Sequence, residues 1–166
     1  MPRAWRANSS ALLAALTPED FEQIFKINVF GLYQMTRAVA PHMKAAGKGA
    51  IVNISSIAGI FGNGSSIAYA GSKGAVNTMT LSLARALAPE IRVNAVCPGF
   101  IGGRWQAAGM GSTEKYQARV QAVGKSTPLR RANTPEDIAE TVVWFIEGAS
   151  WVTGETLLVD SGSHLN

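Results

Sequence analysis

The chain has 166 residues, 47% of them hydrophobic and 16% charged, which excludes a disordered polymer and suffices for one buried core. A net charge of +4 and a pI near 9.5 raise the question of nucleic acid, yet the fifteen basic residues are scattered from Arg3 to Arg131. Only Arg130 and Arg131 are adjacent and no basic run interleaves with aromatics, so a solvated surface is expected and no nucleic-acid partner.

In chain order, the N-terminal MPRAWRANSSALLAAL has an apolar stretch too short and too broken for a signal peptide or a membrane span, so a cytoplasmic protein without a membrane partner is expected. Thr17-Pro18-Glu19-Asp20 joins a cap residue, a proline at the first helical position and acids facing the helix dipole. It predicts a helix to Ala46, stopped by Gly47 and bent or broken near Gly31 or Pro41. Ala50 to Ser55 is an apolar, β-branched run that reads as a buried strand. After a glycine-containing loop, a second helix is predicted over Ile67 to Leu87, closed by Pro89, and Ile91 to Val96 reads as the second strand.

Residues 104–133 show little pattern beyond KYQARVQAV at 115–123, which fits a short amphipathic helix. Thr134-Pro135-Glu136-Asp137 repeats the earlier start signal and predicts a helix to Glu147 with Gly148 as its end, followed by a last strand over Thr156 to Asp160. Strands alternating with helices imply an α/β fold with parallel pairing by crossover connections. There is no linker, low-complexity tract or internal repeat, so residues 1–166 form a single domain. Cys97, the lone cysteine, excludes an internal disulfide and reads as a buried small hydrophobe beside Pro98. Two distant histidines and one thiol do not make a metal set, and none is expected.

The residues with most chemical content are Tyr69 and Lys73, four apart on the second predicted helix, with Ser56 thirteen positions upstream of the tyrosine. That spacing puts phenol and ammonium on one helix face, where the cation favours the phenolate. A unit charge at ~4 Å in an effective dielectric of ~20 supplies roughly 4 kcal/mol, an upper bound of about three pKa units, enough to bring a phenol from ~10 toward neutrality. Ser56 would then hold a carbonyl or alcohol oxygen while Tyr69 gives or takes its proton. Each residue taken singly also has a structural reading: a half-buried helix tyrosine, a solvated lysine, a strand-end cap.

Together, the motifs resemble the short-chain dehydrogenase/reductase family from about Leu16 to Leu165. INVFG at 27–31 is similar to the family's helix segment with its catalytic asparagine, here Asn28. GAIVNISS at 49–56 resembles the strand that ends in its serine, and YAGSK supplies Tyr69 and Lys73. RVNAVCPGF at 92–100 is similar to the strand and turn that cover the nicotinamide. TPEDIAETVVWF at 134–145 and VTGETLLVDSG at 152–162 resemble the last helix and strand. The resemblance implies a partial Rossmann-like, doubly wound parallel sheet of about three strands. The family's nucleotide-binding half would precede residue 1, leaving the catalytic portion here. GIFGNG at 59–64 runs in the reverse of the dinucleotide glycine order and is rejected as a phosphate cradle. PGFIGG at 98–103 lacks the spacing and reads as a cofactor-side or substrate-side turn.

The implied reaction is hydride transfer between NAD or NADP and a small-molecule carbonyl or secondary alcohol. Tyr69 would be the acid/base, and Lys73 would lower its pKa and hold the ribose. Ser56 would fix the substrate oxygen and Asn28 a relay water, while Pro98, Gly99 and Ile101 would line the nicotinamide. Many relatives carry a threonine at the position of Gly103 to bind the carboxamide. Residues 104–133 would close over substrate. The resemblance also implies a homo-oligomer through helices 18–46 and 67–87, and the small residues Ala68, Ala70, Gly71, Gly74 and Ala75 suit ribose contact, helix packing between subunits, or packing on their own sheet. Because the dinucleotide crevice belongs to the absent half, the chain alone is expected to be inactive. Two other readings stand beside this one: a non-catalytic half-domain serving as an oligomerisation or binding module, and a cofactor-free acid/base enzyme using Ser56 and Tyr69.

Overall fold

A computed structural model describes Leu13 and residues 15–166. The expectation for the N-terminal sixteen residues therefore lies almost wholly outside the described residues. The first helix, α1 (Pro18–Phe25), starts as its sequence dictates: the Thr17 hydroxyl accepts the Asp20 amide at 3.1 Å and Pro18 occupies the first turn. It continues through a π turn over Lys26–Phe30 into α2 (Gly31–Ala45). The irregularity thus falls just before Gly31, and Pro41 is carried within the helix without a break.

Three parallel strands follow in the order β1-β2-β3: β1 (Gly49–Ile54), β2 (Ile91–Pro98) and β3 (Thr156–Val159). Between β1 and β2 lie a one-turn helix, α3 (Ala58–Phe61), and the long α4 (Ile67–Leu87), whose Ser66 cap accepts the Tyr69 amide at 3.1 Å. Between β2 and β3 come α5 (Arg104–Met110), α6 (Thr113–Ser126) and α7 (Pro135–Val143), the last closing in a π turn over Trp144–Gly148. A short 3₁₀ turn, Ser163–Leu165, ends the chain. Two helices therefore occupy the segment expected to hold one short one. α6 is capped by the Ser112 hydroxyl on the Lys115 amide at 3.2 Å, and α5 ends at Gly111 with φ 73°.

Alternation along the strands divides the core into two layers. Ile51, Ile91 and Val93 pack with Ala40 and Met43 of α2 and Leu83, Ala84 and Leu87 of α4. Val52, Val96, Leu157 and Val159 pack on the other face with Ile138 and Val142 of α7 and the fully buried Phe145. Arg92 closes that second layer: its guanidinium donates to the carbonyls of Phe145 (2.7 Å), Ala149 (2.9 Å) and Ile146 (3.0 Å), satisfying the acceptors left open where the helix ends. No helix among the described residues is long and apolar enough to cross a membrane.

Candidate active site

β1 delivers its residues to the site through its pairing with β2. The amides of Gly49 and Ser55 donate to Glu90 and Val96 carbonyls at 2.9 and 2.8 Å, so Ala50, Val52 and Ile54 aim their backbone groups at the opposite edge, where no strand pairs among the described residues. Just past the strand, the Ser56 hydroxyl accepts the Ala58 amide at 3.1 Å, starting α3. That bond uses a lone pair of the Ser56 oxygen and leaves its hydroxyl proton free to donate. Ile57 donates its amide to the Pro98 carbonyl at 3.1 Å, which places Ser56 beside the turn that closes β2.

The glycine cluster at 59–64 packs against α4. A Cβ on Gly59 would lie 2.5 Å from the Lys73 carbonyl carbon and 2.6 Å from the Gly74 nitrogen, and one on Gly64 3.3 Å from the Tyr69 ring. Here the absence of a side chain lets loop and helix backbones touch. From β1, the buried Ser55 hydroxyl donates to the Lys73 carbonyl at 3.0 Å. Strand end, loop and helix are thereby locked at the level of Tyr69 and Lys73.

Lys73 and Tyr69 do face the same space: the amine lies 5.7 Å from the phenol ring centroid and donates to the Ile54 carbonyl at 2.8 Å. Burial holds the Lys73 amine below the usual lysine range, with its coupling to the Cys97 thiol acting the other way. Burial likewise raises the Cys97 thiol, against hydrogen bonds from Ser55 and the Ser56 backbone and the Lys73 charge. Cys97 is fully buried and its sulfur lies 3.5 Å from Asn77 Oδ1.

Asn28 sits in the π turn between α1 and α2, a register shift of the kind found at functional sites. Its Nδ2 donates to Ser72 Oγ at 3.0 Å, and that hydroxyl donates to the Tyr69 carbonyl at 2.8 Å. Asn28 is therefore tied to the Tyr69 helix through Ser72, which is fully buried. Sequence reading passed over Ser72 and Ser55. The signal was a hydroxyl directly beside each expected site residue, Ser72 before Lys73 and Ser55 before Ser56.

On the β2 side, Pro98 ends the strand and Gly99 follows it, and the partly buried Ile101 packs against the second core layer and bridges Asn133. Gly99 approaches Asp160 so closely that a Cβ would meet the Asp160 Cβ at 2.7 Å. Asp160 is buried, yet its carboxyl lies below the usual range, because bonds from the Ser163 hydroxyl, His164 and two backbone amides outweigh that burial. Gly103 stands at the start of α5 with no side-chain cap. Among the described residues no group of three or more His, Cys, Asp or Glu side chains could hold a metal ion.

Three parallel strands flanked by helices, with Ser56 just past the end of β1 and Tyr69 and Lys73 on α4 beside it, define an α/β protein of Rossmann-like fold. A family model described as enoyl-(acyl carrier protein) reductase matches residues 4–164. The chain is 46% identical over 135 residues to the short-chain dehydrogenase/reductase homolog YusR of Bacillus subtilis, covering 81% of this chain and 98% of that one. It is 37% identical over 155 residues to 3-oxoacyl-[acyl-carrier-protein] reductase FabG of Thermotoga maritima, covering 92% of this chain and 60% of the reductase. The fold superposes with a TM-score of 0.81 and 27% identity on gluconate 5-dehydrogenase from Burkholderia cenocepacia, solved with NADP and tartrate, over 93% of this chain and 60% of that one. The chain belongs to the short-chain dehydrogenase/reductase family, and it spans about three fifths of the length of the Thermotoga and Burkholderia proteins.

Proposed function

We propose that residues 1–166 are the acid–base portion of a nicotinamide-dependent oxidoreductase, a single partial domain acting on a small carbonyl compound or secondary alcohol. The observation that carries this reading is the joint placement of Tyr69 and Lys73 on α4 against the β1 end that bears Ser56. Bound NAD or NADP would supply or accept the hydride. Lys73 would hold its ribose hydroxyls, and Pro98, Gly99 and Ile101 would line its nicotinamide. Gly103 offers the carboxamide no hydroxyl.

In the reducing direction, the Ser56 hydroxyl donates to the substrate oxygen as charge builds on it. Tyr69 delivers the proton to that oxygen, with Lys73 favouring the phenolate left behind. Asn28, held by Ser72, would order the relay that restores the proton. Family relatives solved with NADP or NADH support the cofactor. The dinucleotide would need polypeptide beside the edge of β1 that no described strand covers, and residues 1–166 alone are proposed not to turn over.

The test has two parts. Fluorescence titration of residues 1–166 with NADH and NADPH is expected to show no binding, and micromolar binding refutes the dependence on further polypeptide. A preparation carrying a nucleotide-binding segment beside β1 is expected to oxidise reduced cofactor with carbonyl compounds; failure across a broad panel refutes the catalytic reading.

A second reading rests on its own observation: Phe21, Ile27, Phe30, Tyr33 and Met35 of the first helical run and Ile67 and Leu81 of α4 are all exposed. It assigns helices 18–46 and 67–87 to a homo-oligomer interface, with or without catalysis. Sedimentation as a monomer at micromolar concentration excludes it.

A further inference from the structure

Between α6 and the loop before α7 lies an open groove of about 560 Å³ that neither Ser56 nor Tyr69 lines. Its walls include Tyr116, Val120 and the backbones of Gly102 and Gly124, while Lys125, Arg130 and Arg131 supply three positive charges. Only Arg131 has a carboxylate partner among the described residues, a two-pronged pairing with Asp137 at 2.8 and 2.9 Å.

The loop is fixed in an unfavourable shape. Arg130 holds φ 56°, a left-handed conformation that costs a non-glycine residue energy and persists only where the surroundings impose it. Its amide donates to the Thr127 carbonyl and its guanidinium to the Lys125 carbonyl, both at 3.0 Å. The glycines keep the walls thin: a Cβ at Gly102 would meet the Tyr116 hydroxyl at 3.2 Å, and one at Gly124 the Arg130 carbonyl oxygen at 3.3 Å.

From these features we infer that the groove binds a small organic carboxylate, its apolar body against Val120 and Tyr116 and its anionic group between Lys125 and Arg130. An apolar cleft alone would take a neutral molecule equally well, and a cationic surface alone would take inorganic anions. The combination selects an amphiphilic anion, with the arginine able to present two parallel donors to a carboxylate. The site does not depend on the acid–base reading, and its test needs no turnover.

Octanoate, octan-1-ol and inorganic phosphate serve as probes, titrated into residues 1–166 and followed by calorimetry and by backbone amide shifts. Octanoate is expected to bind with shifts concentrated at Gly102, Gly124 and Ala132, and octanol and phosphate to bind at least about tenfold more weakly. The exposed-site variant Arg130→Gln/Lys125→Gln, checked for an unchanged amide spectrum elsewhere, is expected to lose octanoate affinity by a similar factor. No octanoate binding at millimolar concentration, equal affinity for octanol, shifts elsewhere on the protein, or affinity unchanged in the double variant would each overturn the proposal.

Discussion

The Lys73 amine donates to the Ile54 carbonyl at 2.8 Å, on the edge of β1 that no described strand covers. One side chain therefore serves two ends: it points its charge at Tyr69 and occupies an acceptor that an open strand edge would otherwise expose. A lysine at an edge also discourages unwanted strand pairing.

Burial of this amine disfavours its charged form in the folded protein, lowering its pKa from 10.5. Below the lowered value the group is protonated in both folded and unfolded states, so the cost of burial is fully present there. The cost shrinks as pH rises through the lowered value and is gone above 10.5. Relative to Lys73→Met, the wild-type chain should gain stability between neutral and alkaline pH, read from urea unfolding at each pH. Parallel slopes for the two proteins would contradict the buried placement.

Asp137 behaves in the opposite sense. Hydrogen bonds from Arg131 and the Thr134 amide hold its carboxyl down at about 2. Its stabilising effect is present above the ordinary value of 3.8 and is lost as pH falls toward 2. The pair is solvent-exposed, so added salt should blunt the effect. Arg131→Gln should make acid unfolding less steep at low ionic strength and change little at high ionic strength.

Asn133 is buried and fully used: Nδ2 donates to the Val159 carbonyl, Oδ1 accepts the Ser161 hydroxyl, and its carbonyl accepts the Gly102 amide at 2.7 Å. Ser161 itself holds φ 56°. Asn133→Ala strands the buried Ser161 hydroxyl and removes one of two bonds to the Val159 carbonyl, which keeps the Gly99 amide at 3.0 Å, and should cost about 1–3 kcal/mol in chemical denaturation. A loss under about 0.5 kcal/mol would show that the loop and β3 are not joined through this side chain.

Gly59→Ala places a methyl 2.5 Å from the Lys73 backbone, and neither side is a flexible side chain that can turn away. The loop and α4 must separate, at a cost of about 1–3 kcal/mol, and Lys73 should move with the helix. Loss of stability together with loss of turnover is the expected pair of results. Full activity at reduced stability would show that loop packing does not set the site.

Much of this was legible in the chain because local chemistry decided it. α4 runs over Ile67–Leu87 as read, with the Ser66 cap at one end and Pro89 just beyond the other, and both Thr-Pro-Glu-Asp segments start helices. The reading stopped β2 at Val96, two residues before Pro98, which has no amide. In the structure β2 reaches Pro98, for in this register the missing amide points past the end of β1 and no ladder bond is lost. β1 itself begins one residue earlier than expected, since Gly49 already pairs with Glu90, and β3 ends one residue earlier, at Val159.

What escaped was set by distant partners. The π turn at Trp144–Gly148 replaces the expected last turn of the helix, its carbonyls met by Arg92 from more than fifty residues away. Residues 104–110 show no legible pattern but form α5. Within the site, Tyr69, Lys73 and Ser56 followed from spacing, whereas the Ser72 link to Asn28 required the fold to bring helices 44 positions apart into contact.

The most direct measurement is turnover of Tyr69→Phe in the cofactor-competent preparation, alongside its circular dichroism and unfolding curve. Removal of one hydroxyl that donates the reaction's proton should lower turnover by roughly 10²–10⁴-fold while leaving the fold and its stability essentially unchanged. Turnover equal to that of the unsubstituted protein would contradict the assignment of Tyr69 as the proton donor.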